Sequence, residues 1–173
     1  MALAAHDPTG HSAYRTGALA LLVAAAAILV ALGSEHLGGL VPCELCLEQR
    51  YAYYAGVPLM FLALVVLTAG QTRAAALLFI LVALGFFANA ALGAYHAGVE
   101  WQLWAGPAAC TGSQPLTSNA GNLLDALKQT NVVRCDQAAW RFAGLSMAGW
   151  NVIGSLLIAF LALRAANESL HTR

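Results

Sequence analysis

The sequence predicts an all-α fold: an integral membrane four-helix bundle with two extracytoplasmic loops, the second long and carrying a short amphipathic helix. Three observations predict it. Only 9% of the 173 residues are charged and 60% are hydrophobic, whereas a soluble domain carries about 25% charged residues. The few charges bound four long uncharged runs. All four cysteines fall in the two segments that such helices would leave on one side.

Arg15 and Glu35 enclose 19 uncharged residues, Arg50 and Arg73 enclose 22, Arg73 and Glu100 enclose 26, and Arg141 and Arg164 enclose 22. About 20 apolar residues, rising 1.5 Å each, cross the roughly 30 Å of hydrocarbon. Backbone groups in lipid must pair within their own segment, so each run reads as a helix. The expected spans are residues 16–36, 49–70, 74–98 and 143–164, within one membrane domain covering 1–173. Residues 1–14 read as a polar tail. The first apolar run exceeds the roughly 7–15 residues of a secretion-signal core, so it reads as a retained helix. Gly56 and Pro58 mark a possible kink in the second helix. Gly144, Gly149 and Gly154 read as small residues for close packing in the fourth.

Four helices put both termini on one side and the segments 37–48 and 99–142 on the other. Cys43 and Cys46 lie in the first segment, Cys110 and Cys135 in the second. Lys and Arg divide four against four between the two sides, so positive-inside counting does not orient the chain. Paired cysteines in loops suit an oxidising compartment, which places them outside the cytoplasm. Zero net charge gives no electrostatic footprint for nucleic acid, and membrane lipid is the expected surrounding. In the long segment, Pro107 and Pro115 bracket Cys110 in an irregular stretch. Leu123, Leu124 and Leu127 repeat at helical spacing, for a helix on the membrane surface or packed on protein. Trp101, Trp104, Trp140 and Trp150 read as interface anchors.

Pro42-Cys43-Glu44-Leu45-Cys46 followed by Arg50 carries the strongest chemical signal. A Cys-x-x-Cys pair closes a small disulfide ring, and a helix N-terminus stabilises a thiolate. Arg50 shares a helical face with Cys46 and adds to that effect, while Glu44 and Glu48 oppose it. Cys110 and Cys135, 25 residues apart, suit a loop-closing disulfide. Two pairs facing one compartment also suit thiol exchange. The alternatives are structural disulfides or a four-cysteine zinc site in a non-enzymatic membrane protein; short spacing on both halves, which zinc sites favour, is missing here. Asn89 and Asn151 read as helix-to-helix hydrogen-bonding groups. His96 reads as an interfacial histidine or as a donor to a quinone carbonyl, and His36 as interfacial.

These residues, together with Tyr95-His96-Ala97-Gly98-Val99-Glu100, Gly106-Pro107 before Cys110, and Cys135-Asp136 leading to Trp140-Arg141-Phe142 and Gly144-Leu145-Ser146-Met147, resemble the disulfide bond formation protein B (DsbB) family over about residues 15–165. The resemblance implies a bacterial inner-membrane thiol oxidase that reoxidises a periplasmic DsbA-type dithiol oxidase and passes electrons to ubiquinone or menaquinone. It implies that Cys43, Cys46, Cys110 and Cys135 are catalytic, and that the partner attacks Cys110. Cys135 would then attack Cys43, leaving a Cys46 thiolate beside Arg50 and the quinone. His96 is the candidate second quinone contact, although counting back from Cys110 puts it one position from the family's quinone-facing histidine. Gln49 stands where some members carry an acid, a difference from which little consequence is expected.

Overall fold

A computed structural model describes residues 8–107 and 134–171. Cys110 and the expected amphipathic helix over 119–133 lie outside the described residues. Among the described residues, four helices are long and apolar enough to cross a membrane: α1 (Pro8–His36), α2 (Glu44–Thr68), α3 (Thr72–Glu100) and α4 (Met147–His171). Between α3 and α4, β1 (Arg141–Phe142) and β2 (Leu145–Ser146) pair antiparallel. Each helix packs on its neighbours in sequence, and α4 closes the ring against α1. Leu22, Leu29, Phe61, Leu77 and Phe160 are among the large apolar side chains facing outward. Lipid is the solvent that such a surface requires. The chain is a multi-pass membrane protein.

Small residues set how closely α1 approaches its neighbours. Ala13, Ala20 and Ala24 are fully buried, and a Cβ on Gly17 would lie 2.6 Å from the Phe79 ring of α3. With lipid as apolar as leucine, such close backbone contact is a main source of helix association. Gly56 likewise receives the Phe86 ring, which a Cβ would meet at 2.6 Å. Phe86, Met60, Val82 and Ile158 fill the middle of the bundle.

The helix ends depart from the sequence-based expectation. α1 begins at Pro8 rather than residue 16, so the polar tail is helical from that point. α2 starts at Glu44 rather than residue 49, because Cys43 caps it: the Cys43 sulfur accepts from the Cys46 N–H at 3.3 Å. Glu44 in the first turn complements the helix dipole. α2 runs unbroken through Pro58. α4 begins at Met147 rather than residue 143. Gly144 therefore packs no helix; with Ala143 at φ 51° and Gly144 at φ 83°, it makes the hairpin turn that needs two left-handed residues. α4 also continues past Arg164 to His171. Arg164 pairs with Glu168 at 3.0 Å, and Thr16 of α1 donates to Glu168 at 2.8 Å. The start of α1 and the end of α4 thus meet at one end of the bundle, opposite the start of α2.

Candidate functional site

The site grows from the first turn of α2. Cys43, extended at φ −79° and ψ 169°, directs its sulfur back over the helix N-terminus, 2.6 Å from the sulfur of Cys46. Both are free thiols. A disulfide bond is about 2.05 Å long, so the pair closes by small side-chain rotations. Cys43 is buried against Leu45, Val99 and Cys135. The proton shared with Cys46, then burial, hold the Cys43 thiol well above the ordinary thiol range.

Cys135 is buried and disulfide-bonded. It sits beside the exposed pair Arg134–Asp136, in which the guanidinium keeps the Asp136 carboxyl below its ordinary range. His96, near the C-terminal end of α3, is 2% exposed. The sulfurs of Cys43 and Cys135 and a ring nitrogen of His96 all lie within 4.8 Å of one another. His96 Nε2 is 3.6 Å from the Cys43 sulfur, and the ring also hydrogen-bonds the Cys135 backbone.

Behind His96 runs a buried polar chain. Gln49 on α2 donates to His96 Nδ1 at 2.9 Å and to the Leu45 carbonyl at 3.0 Å. Its own oxygen accepts from the Asn151 amide of α4 at 2.5 Å. Asn151 in turn accepts from the Tyr53 hydroxyl at 2.6 Å, and Asn89 donates to Ser155 at 3.0 Å. The two asparagines do tie helices together. Gln49, expected to matter little, is instead 5% exposed and central to the chain. Glu100 closes the other side of His96: Oε1 is 3.8 Å from Nε2, and Oε2 has no partner among the described residues.

Arg50, in the second turn of α2 rather than at the helix entrance, is ion-paired with Glu35 of α1 and reaches the Ala31 carbonyl at 3.5 Å. Cys46, Gln49, Arg50 and His96 form the polar end of a cavity of about 480 Å³. Ala27 and Ala31 of α1, Phe142 of the hairpin and Trp150 of α4 supply apolar walls. Sequence reasoning missed Gln49, Glu35 and Glu100. Glu35 served there only to bound a span and Glu100 to bound one and end the Tyr95–Glu100 motif, and the signal available for Gln49 was an uncharged polar residue three positions after Cys46.

The geometry does not suit zinc. Two thiolates on one tetrahedral zinc, each about 2.3 Å from it, lie about 3.8 Å apart; here the sulfurs are 2.6 Å apart, and Cys135 carries a disulfide rather than a thiolate.

Four membrane-crossing helices with a free Cys-x-x-Cys pair against a disulfide-bonded cysteine define a membrane thiol–disulfide protein. The family model for disulfide bond formation protein DsbB matches residues 14–165, and the chain belongs to that family. It is 33% identical over 165 residues to disulfide bond formation protein B of Aromatoleum aromaticum, covering 87% of this chain and 92% of the relative. It is 35% identical over 155 residues to the protein of that name from Methylococcus capsulatus, covering 85% and 87%. No solved structure gives a significant match. Disulfide bond formation at a membrane is the function this membership carries, and a disulfide-forming oxidoreductase is its enzyme class.

Proposed function

We propose that the chain is a protein-disulfide:quinone oxidoreductase that reoxidises a periplasmic DsbA-type dithiol oxidase. The observation that carries this reading is the approach of the Cys43 and Cys135 sulfurs to within 4.8 Å, which puts the two cysteine pairs at exchange distance. Cys110 is the remaining cysteine of the sequence and is assigned as the disulfide partner of Cys135 and the first point of attack. The enzyme sits in the bacterial inner membrane with its termini in the cytoplasm.

The exchange conserves electrons at every step. The partner's thiolate attacks Cys110, the Cys110–Cys135 bond breaks, and Cys135 leaves as a thiolate. Cys135 attacks Cys43 of a closed Cys43–Cys46 disulfide, and Cys46 leaves as a thiolate. The partner's second thiolate then attacks its own sulfur in the mixed disulfide, leaves oxidised, and frees Cys110. Cys110 attacks Cys135, restoring the loop disulfide and releasing Cys43. The chain now holds the dithiol seen here, with Cys43 and Cys46 free.

A membrane quinone supplies the acceptor for two electrons and two protons. The residues present fit one. The cavity has apolar walls for a flat ring and places the Arg50 guanidinium, a donor suited to a carbonyl oxygen, beside Cys46. A DsbA-type couple lies at about −120 mV, too oxidising for recharging by the glutathione pool. A higher-potential acceptor is therefore required.

The test is to mix fully oxidised protein with reduced partner, quench with acid and map disulfides by mass spectrometry. A transient Cys43–Cys135 peptide is expected. A partner adduct on Cys43 without that peptide would overturn the assigned order.

A further inference from the structure

Gln49 has an orientation that the backbone dictates. Its side-chain nitrogen lies 3.0 Å from the Leu45 carbonyl, a group that only accepts. That end of the amide must therefore be the NH₂, and it also faces His96 Nδ1 at 2.9 Å. The Asn151 amide nitrogen, 2.5 Å from Gln49 Oε1, agrees with the assignment. Nδ1 thus receives a hydrogen bond. A neutral imidazole carries one proton, so that proton resides on Nε2. Nε2 is the nitrogen that faces the Cys43 sulfur at 3.6 Å.

Resting on the thiol-exchange reading above, we propose that Gln49 is a positioning residue: it holds His96 as the Nε2–H tautomer, so that the ring donates a hydrogen bond to the sulfur that becomes a thiolate at Cys43. The step served is the resolution of the Cys43–Cys135 bond. The Cys110 thiolate attacks Cys135, the Cys110–Cys135 bond forms, the Cys43–Cys135 bond breaks, and the electron pair leaves on Cys43. No proton and no outside oxidant enters. Buried among Leu45, Val99 and Cys135, the leaving sulfur has little access to water, and its neighbour Cys46 already carries charge at this stage. The N–H of His96, shared with the Cys135 backbone, adds a second donor beside the Cys46 backbone N–H at 3.3 Å, as a preorganised dipole does for any buried anion. A histidine with the opposite tautomer would turn a lone pair toward that sulfur and oppose the step.

His96 then acts on a sulfur as well as on a quinone, and Gln49 is the residue that aims it. The amide is anchored twice, by Leu45 on its own helix and by Asn151 on α4. A free amide would rotate and present its oxygen to Nδ1 for part of the time.

The experiment uses full-length protein in lipid nanodiscs. Nitrogen NMR of the His96 ring reads the tautomer directly, and acid-quenched single turnovers read the decay of the Cys43–Cys135 species. In the native protein, Nδ1 is expected to give an unprotonated signal and Nε2 a protonated one. In Gln49→Glu, a carboxylate accepts from Nδ1–H, the two signals exchange, and decay slows roughly tenfold, the worth of one hydrogen bond. Gln49→Leu, which removes the donor without adding charge, should slow decay to a similar degree. A native ring protonated on Nδ1 overturns the proposal, whether or not either variant folds. So does an unchanged decay rate in folded Gln49→Glu. Absence of any Cys43–Cys135 species in the native protein would instead overturn the exchange reading, and the tautomer measurement would distinguish the two failures.

Discussion

Replacing Arg50 with Met separates the two halves of the reaction. The Arg50 side chain is 11% exposed and its partner Glu35 28% exposed, so the pair is part-buried. The cost to the fold should lie between that of a surface pair, about 0–1 kcal/mol, and that of a broken buried pair, about 3–5 kcal/mol. The loss to the acceptor half is separate from it. A hydrogen bond from a charged donor contributes about 1.5–3 kcal/mol, which corresponds to about 10- to 150-fold in kcat/KM for quinone. Attack by the partner on Cys110 needs no quinone and should change less than about threefold. Glu35→Gln keeps the guanidinium but removes the group that aims it, and a smaller rise in the quinone KM is expected. The assay is stopped-flow measurement of each half-reaction: quinone reduction by pre-reduced enzyme, and partner oxidation by pre-oxidised enzyme. Equal loss in both halves would indicate misfolding, and unchanged quinone kinetics would remove Arg50 from the acceptor site.

Four further outcomes are expected. Cys135→Ala should accumulate a disulfide between the partner and Cys110; an adduct mapping to Cys43 would contradict the order of attack. After reduction, a membrane-impermeant thiol reagent should label loop cysteines in intact cells, and no labelling at all would reverse the orientation. Gly56→Ala improves helix propensity by about 1 kcal/mol but puts a Cβ 2.6 Å from the Phe86 ring. That ring is held edge-to-face by Tyr53 at 5.0 Å, so overpacking of about 1–3 kcal/mol should win, and a raised unfolding temperature would show that the ring gives way freely. The Asp136 carboxyl should titrate by NMR below its free value of 3.8. Because the folded value is the lower one, its pairing with Arg134 persists above the unfolded value and is lost as pH falls through the folded value. A midpoint at or above 3.8 in the native protein would contradict the ion pair.

The four spans were legible because in lipid a single charge is enough to end an apolar run. The same rule misplaced the starts of α1 and α2 and both ends of α4. α2 begins five residues before the expected start because a cysteine sulfur caps it, outside the usual Ser, Thr, Asp and Asn signature. α4 passes Arg164 because Glu168, one turn later, pairs with it, so the charge decorates the helix instead of ending it. At the site, the spacing of Cys43 and Cys46 was readable, and so was a histidine at the same depth. What surrounds that histidine was not. Gln49, His96 and Asn151 come from three different helices, 47 and 102 residues apart in sequence from Gln49, and only the packed ring brings them together. Arg50 is the same case: the sequence presented a lone cation, and the fold supplies Glu35 from the neighbouring helix.

The most direct test of the account is a coupled assay with the purified protein in lipid nanodiscs, a reduced DsbA-type partner and added ubiquinone or menaquinone. Both quinone reduction and partner thiols are followed in the same sample. One quinone should be reduced for each partner dithiol oxidised, with turnover abolished by Cys43→Ser and by Cys46→Ser. Partner oxidation that proceeds at the same rate without quinone, or quinone reduction that survives both substitutions, would contradict it.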